Sequence, residues 1–179
     1  MALSHAILVC LTERPMSGYD LAKFFDTSIG FFWKATHPQI YRELKKLGEQ
    51  GHVTSIEEIQ SGKPNRIAYS ITQSGKDALK EWSREPVALP LIKDDLLVRL
   101  QAIEYVDKDA LREQVAARLE AHREQLGQYY HIRDVRFSDG QPPAEDLGKL
   151  MGLELGIQYE QGWIAWCESV LQRLEKQKS

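Results

Sequence analysis

Apolar residues recur at helical spacing towards both ends of this chain and at every second position for a short stretch between. That change of period divides the sequence into elements. Ala2 to Thr12 is apolar on most sides, the pattern of a helix packed centrally in a small three-helix core. Ser17 and Asp20 then form a capping arrangement for a second helix, with Leu21, Ala22, Phe24 and Phe25 as its buried face and an expected stop near Gly30. Phe31, Phe32 and Trp33 follow in a turn, where they suit core plugs better than a binding platform, because aromatics dominate burial in small domains.

Thr36 to Gly51, THPQIYRELKKLGEQG, is a third helix with clear boundaries. Thr36 caps it, Pro38 fits its first turn, and Gln39 completes a capping box. Ile40, Leu44 and Leu47 form its apolar stripe, and Gly51 ends it. The period then drops to two. Val53 to Ile59 reads as a strand with imperfect alternation, and Ile67, Tyr69 and Ile71 alternate with Arg66, Ala68 and Ser70 as its half-buried partner. The turn-rich loop Gln60 to Asn65, QSGKPN, joins them. Thr72 opens a further helix through Ala78, Leu79 and Trp82, and Pro86 with Pro90 ends the first domain.

The rest is helical in pattern. One helix spans about Ile92 to Tyr105 with Leu96, Leu97, Leu100 and Ile103 as its stripe. Another follows the N-cap Asp107, with Leu111, Val115, Leu119, His122, Leu126 and Tyr129 spaced like a coiled-coil seam. A loop containing Ser138, Asp139, Gly140, Pro142 and Pro143 precedes a last helix from about Glu145 to Glu175. Such helices cannot bury their seams alone, so a homodimer is expected. The predicted fold is mainly α with a small β-hairpin: a winged helix-turn-helix over residues 1–85, then a helical dimerisation domain over 91–179 that also houses any effector site.

Charge locates the candidate chemistry. The 23 basic and 26 acidic residues give a net −3, but residues 1–85 hold 11 basic against 10 acidic side chains and residues 86–179 hold 12 against 16. Nucleic acid would therefore meet the first half, through a local patch. The patch is the wet face of the third helix, Gln39, Arg42, Lys45, Lys46 and Glu49, with Tyr41 half buried beside the stripe. A charge cluster like this often only solvates a helix. Here a hairpin with Lys63, Asn65 and Arg66 at or near its tip follows directly, the order of parts in a winged helix that binds duplex DNA.

Other chemistry is sparse. His5, His37, His52, His122 and His131 show no HxxxH or HExxH spacing, and there is no phosphate-cradling glycine loop or nucleophile elbow, so neither an enzyme nor a metal or cofactor is expected. Cys10 and Cys167 lie outside any ligand spacing and fit buried, reduced thiols. The apolar opening lacks a leading basic region and a cleavage site and is too short to span a bilayer, which makes a soluble cytoplasmic protein the expectation. His122 on the apolar seam reads as a satisfied core or interface histidine, with an effector contact as the alternative. Gly148, Gly152 and Gly156 recur every four residues, which permits either close helix approach at a dimer interface or room for a small molecule.

HAILVCLTERPMSGYDLAKFFD, FWKATHPQIYRELKKLGEQG, GKPNRIAYSITQSGKDALKEW and the closing WIAWCESVL together resemble the PadR-like bacterial transcriptional regulators, specifically the phenolic acid repressor branch with a long helical C-terminal domain. The resemblance spans essentially the whole chain. It implies a winged-helix dimer on a pseudo-palindromic operator, usually a repressor, released in some members by an aromatic acid bound between the winged and helical domains. Gln39, Tyr41, Arg42, Lys45, Lys46, Lys63, Asn65 and Arg66 are the DNA-binding candidates, and His122, Tyr129, Lys149, Gln158 and Trp163 are the effector candidates. The rival reading is a winged-helix subunit that only binds other proteins.

Overall fold

The computed structural model describes residues 2–25, 33, 35–58, 66–138 and 142–176. The chain divides into two compact units, Met1–Leu89 and Pro90–Ser179.

In the first unit the order is α1 (Ala2–Leu11), β1 (Met16–Ser17), α2 (Gly18–Phe24), α3 (His37–Glu49), β2 (Val53–Glu58), β3 (Arg66–Ile71) and α4 (Gln73–Trp82). Ile7, Leu8, Cys10 and Leu11 of α1 pack with Met16, Leu21, Ala22, Phe25, Ile40, Leu44, Leu47 and Val53 in one core. Burial there pushes the Cys10 thiol up to about 12, that of an inert buried thiol. The sheet has a third strand beyond the expected hairpin, in the order β1-β3-β2. Met16 lies opposite Tyr69 and Ser17 opposite Ala68.

Flanked on both sides, β3 departs from simple alternation. Ala68 is buried while Ile67 is 50% exposed, so the apolar set Ile67, Tyr69 and Ile71 is only partly turned inward. Trp33 is likewise exposed and not a core plug. Phe31, Phe32, Ile59 and the expected helix end near Gly30 lie outside the described residues.

A knot of short contacts fastens the end of α3 to the root of the hairpin. Gly51 takes φ 72, the left-handed conformation that stops a helix. The Thr72 hydroxyl donates to the Gly51 carbonyl at 2.7 Å and accepts the Gly75 N–H at 3.1 Å. The Thr72 N–H reaches the His52 carbonyl at 3.0 Å. Gly75 has no room for more, since a Cβ there would stand 2.4 Å from that carbonyl oxygen. At the other end of α4, Trp82 stacks on His5 with centroids 4.6 Å apart.

The second unit contains α5 (Asp95–Gln101), α6 (Lys108–Arg136), a 3-10 turn (Ala144–Asp146) and α7 (Leu147–Lys176). Helix α5 is shorter than its apolar stripe suggests. Asp94 is its N-cap, accepting the Leu96 N–H, and Asp107 caps α6 in the same way through Asp109 and Ala110. Leu96, Leu111, Val115, Leu119 and Cys167 form the core of this unit. Helices α6 and α7 run antiparallel, as Arg123 with Glu168 and Tyr130 with Gln161 show. Leu147, Met151, Leu155 and Tyr159 of α7 remain exposed. Among the described residues no helix is long and apolar enough to cross a membrane.

Candidate nucleic-acid interface

The split in α3 is built from its own sequence. Ile40, Leu44 and Leu47 are buried, and Gln39, Tyr41, Arg42, Lys45 and Lys46 are exposed. Gln39 bends back to the cap, its Oε1 accepting the Thr36 N–H at 2.8 Å and the Thr36 hydroxyl at 3.0 Å. Its amide NH2 is then the group available to a base edge. Lys46 stands 3.8 Å from Glu43 and is partly neutralised, whereas Arg42 and Lys45 project from the middle turns. Tyr41 is half exposed because its ring packs on Gly18, where a Cβ would come within 2.4 Å of Cε1. That glycine lets α2 and α3 approach closely.

Two residues absent from the sequence-based set share this surface. Tyr19 of α2 is 63% exposed, and its ring meets His37 edge-on with centroids 6.3 Å apart. Only the tertiary approach of α2 to α3 brings them together, so no local spacing announced them. Lys63 and Asn65 lie outside the described residues. Arg66 is placed differently from expectation: its Nη2 lies 2.6 Å from Asp20 Oδ2 in the capping box of α2. Hydrogen bonds from the Ser17 hydroxyl and N–H, with the Arg66 charge, hold the Asp20 carboxyl below its usual range against a desolvation that raises it.

The effector candidates divide. His122 and Trp163 are stacked, with centroids 5.1 Å apart, and His122 Nδ1 is hydrogen-bonded to Glu160 Oε2, a buried carboxylate that the sequence reading missed. Arg118 lies over the Trp163 ring at 5.2 Å and also pairs with Asp94. Tyr159 and Trp166 meet Trp163 edge-on. Tyr129 is buried nearby and packs against Gly156, where a Cβ would be 3.0 Å from its ring. Burial first, and then the Glu160 charge, push its hydroxyl up to about 12.

Lys149 is not part of this cluster. It precedes Trp163 by 14 positions on the same helix, about 21 Å of rise. Its Nζ pairs with Asp146 at 2.8 Å, and that bond, followed by the Lys149 and Arg136 charges, keeps the Asp146 carboxyl low. Gln158 is exposed, whereas Ile157 beside it is buried. Of the glycine row, Gly156 serves close approach of α6 and α7, while a Cβ at Gly148 would meet nothing within 4 Å. Among the described residues no group of three or more His, Cys, Asp or Glu is arranged to hold a metal ion.

Comparison with known proteins gives the same division of the chain. Residues 7–81 match the Transcriptional regulator PadR-like family, and residues 92–175 match the Virulence activator alpha C-term. The probable transcriptional regulator Rv1176c of Mycobacterium tuberculosis is 37% identical over 99% of this chain and all of its own length. Bacillus subtilis PadR solved with operator DNA superimposes with a TM-score of 0.86 at 28% identity, covering 97% of this chain and 98% of that one. The same protein solved with p-coumaric acid gives 0.78 at 27% identity over 98% and 99%. The Vibrio cholerae virulence activator AphA gives 0.78 at 37% identity, again over 98% and 99%. The chain belongs to the PadR-like family of transcriptional regulators.

Proposed function

We propose that this regulator is a cytoplasmic, sequence-specific DNA-binding repressor that acts as a homodimer on a pseudo-palindromic operator. The observation that carries the reading is α3, which buries one stripe and presents Gln39, Arg42 and Lys45 together on its open face. A helix of this kind fits the major groove, where Arg and Gln read base edges and Lys neutralises phosphate. Tyr41, Lys46, Tyr19 and His37 border that face and serve the flanking backbone, with Lys63 and Asn65 contributing from the wing. The apolar row Leu147, Met151, Leu155 and Tyr159 on α7 supports the second copy, because a row of this length is unfavourable in water.

The deciding experiment is selection of binding sites from a random DNA library at fixed salt. A dimer recovers inverted half-sites whose centres are about 10 base pairs apart or a multiple of that. Retention of no DNA at low salt favours the protein-interaction subunit instead. The sign of regulation has a second reading as an activator, favoured by the match of residues 92–175 to the virulence activator domain. Transcription from a selected site, with and without the protein, separates the two.

We further propose that an aromatic carboxylic acid releases the DNA by binding in the helical unit beside His122, Tyr129 and Trp163. Arg118, over the Trp163 ring, is the cation best placed to meet its carboxylate. Lys149 and Gln158 would act at a distance or not at all. Hydroxybenzoates and hydroxycinnamates titrated against tryptophan fluorescence and operator binding test this. The proposal stands if an acid changes both signals and Trp163→Leu abolishes the response; it fails if no acid changes either at millimolar concentration.

A further inference from the structure

Strand β1 holds β3 only through Met16 opposite Tyr69 and Ser17 opposite Ala68. Arg66 lies two residues farther out on β3, beyond the last of these pairs. Its guanidinium meets Asp20 Oδ2 at 2.6 Å. The same oxygen accepts the Ser17 hydroxyl at 2.7 Å and the Ser17 N–H at 3.2 Å. Attachment of the hairpin to the helices therefore continues past the strand pairing through the Asp20 carboxylate. That carboxylate stands on α2, which is itself seated against α3 at Gly18 and Tyr41.

We infer that Asp20 is a positioning residue for DNA binding: it fixes the outer end of the β2–β3 hairpin relative to α3. The inference rests on the DNA-binding reading above. It has an unusual sign. An anion beside a polyanion repels it, so electrostatics alone makes loss of Asp20 strengthen binding. The positioning role makes the same loss weaken it. A partly exposed ion pair adds little to global stability. Its effect falls instead on the end of the hairpin beyond β1, where β3 is paired with β2 alone and local opening is easier.

The test compares the full-length parent with Asp20→Asn, Arg66→Met, Arg66→Lys and the double variant Asp20→Asn/Arg66→Met. Amide hydrogen exchange at Arg66 to Ala68 and affinity for a selected operator across a salt series are read for each, at a temperature where melting curves show all of them folded. Asp20→Asn is expected to speed exchange and to weaken binding about three- to thirtyfold, within the range of coupling between contacting residues. The salt slope should stay at the parent value, because no phosphate contact is lost. Arg66→Met should match that loss, the double variant should be no worse than either single one, and Arg66→Lys should recover most of the affinity. Unchanged exchange, tighter or parental binding by Asp20→Asn, or a slope reduced by about one unit in Arg66→Met would each overturn the inference, the last by showing a direct phosphate contact. A parent that retains no DNA would overturn it through the DNA-binding reading, and the exchange data separate that failure from a misassigned ion pair.

Discussion

Helices α3 and α7 both bury one apolar face, and they differ in what they leave outside. Around Ile40, Leu44 and Leu47, α3 exposes Gln39, Arg42, Lys45 and Lys46. Around Leu153, Ile157, Cys167 and Leu174, α7 exposes a second apolar row, Leu147, Met151, Leu155 and Tyr159. Water solvates the first kind of surface and not the second. The contrast teaches where to look for partners: a charged ligand at α3, and an apolar surface at α7.

The largest effect expected from this contrast is at α7. Met151→Asp with Leu155→Asp should cost an apolar interface roughly 3–5 kcal/mol by leaving charge uncompensated, enough to dissociate a modest dimer. Light scattering that shows a monomeric parent, or an unchanged dimer in the variant, breaks the comparison. Leu171 is a poorer probe, since it packs against the core of its own chain. Next comes Arg42→Ala, expected to lose about 1–3 kcal/mol on the selected operator and much less on random sequence. Equal losses on both would reduce Arg42 to a phosphate contact.

Gly18→Ala sharpens the comparison from the packing side. Its methyl would enter the Tyr41 ring, and overpacking of this kind costs about 1–3 kcal/mol, which thermal unfolding would register. An unchanged melting temperature would show that the α2–α3 contact is looser than the geometry implies. Lys45→Ala should weaken all sequences alike and flatten the salt dependence by about 0.9 in log–log slope. The smallest effect is at Gly48, where an added Cβ meets nothing within 4 Å. Gly48→Ala should raise stability by about 0.4–1 kcal/mol, measured by denaturant titration, without changing DNA affinity.

What the sequence discloses is local. The pairs Ser17 with Asp20 and Thr36 with Gln39 stand three residues apart, so both helix starts could be read directly. The stripe of α3 and most of the α6 seam, Leu111, Val115, Leu119 and Tyr129, follow from periodicity and are buried as the pattern requires. Strand β1 was invisible because two residues make no pattern. Arg66 looked like a wing cation because its partner, Asp20, is 46 positions away. The same limit hid Glu160 from His122, and it let Lys149 look close to Trp163 when helical rise separates them.

The knot at Thr72, Gly51, His52 and Gly75 bears on how such a protein changes its target over evolutionary time. With the C-terminal end of α3 tied to the hairpin by the Thr72 hydroxyl and N–H, and with Gly75 already at its steric limit, the helix has little freedom to tilt or roll. Under the proposed DNA-binding role of α3, new specificity would then come from exchanging the exposed side chains at positions 39, 42 and 45 on a fixed frame. A set of residues transplanted there from a relative should carry its sequence preference with it, with the backbone left as it is.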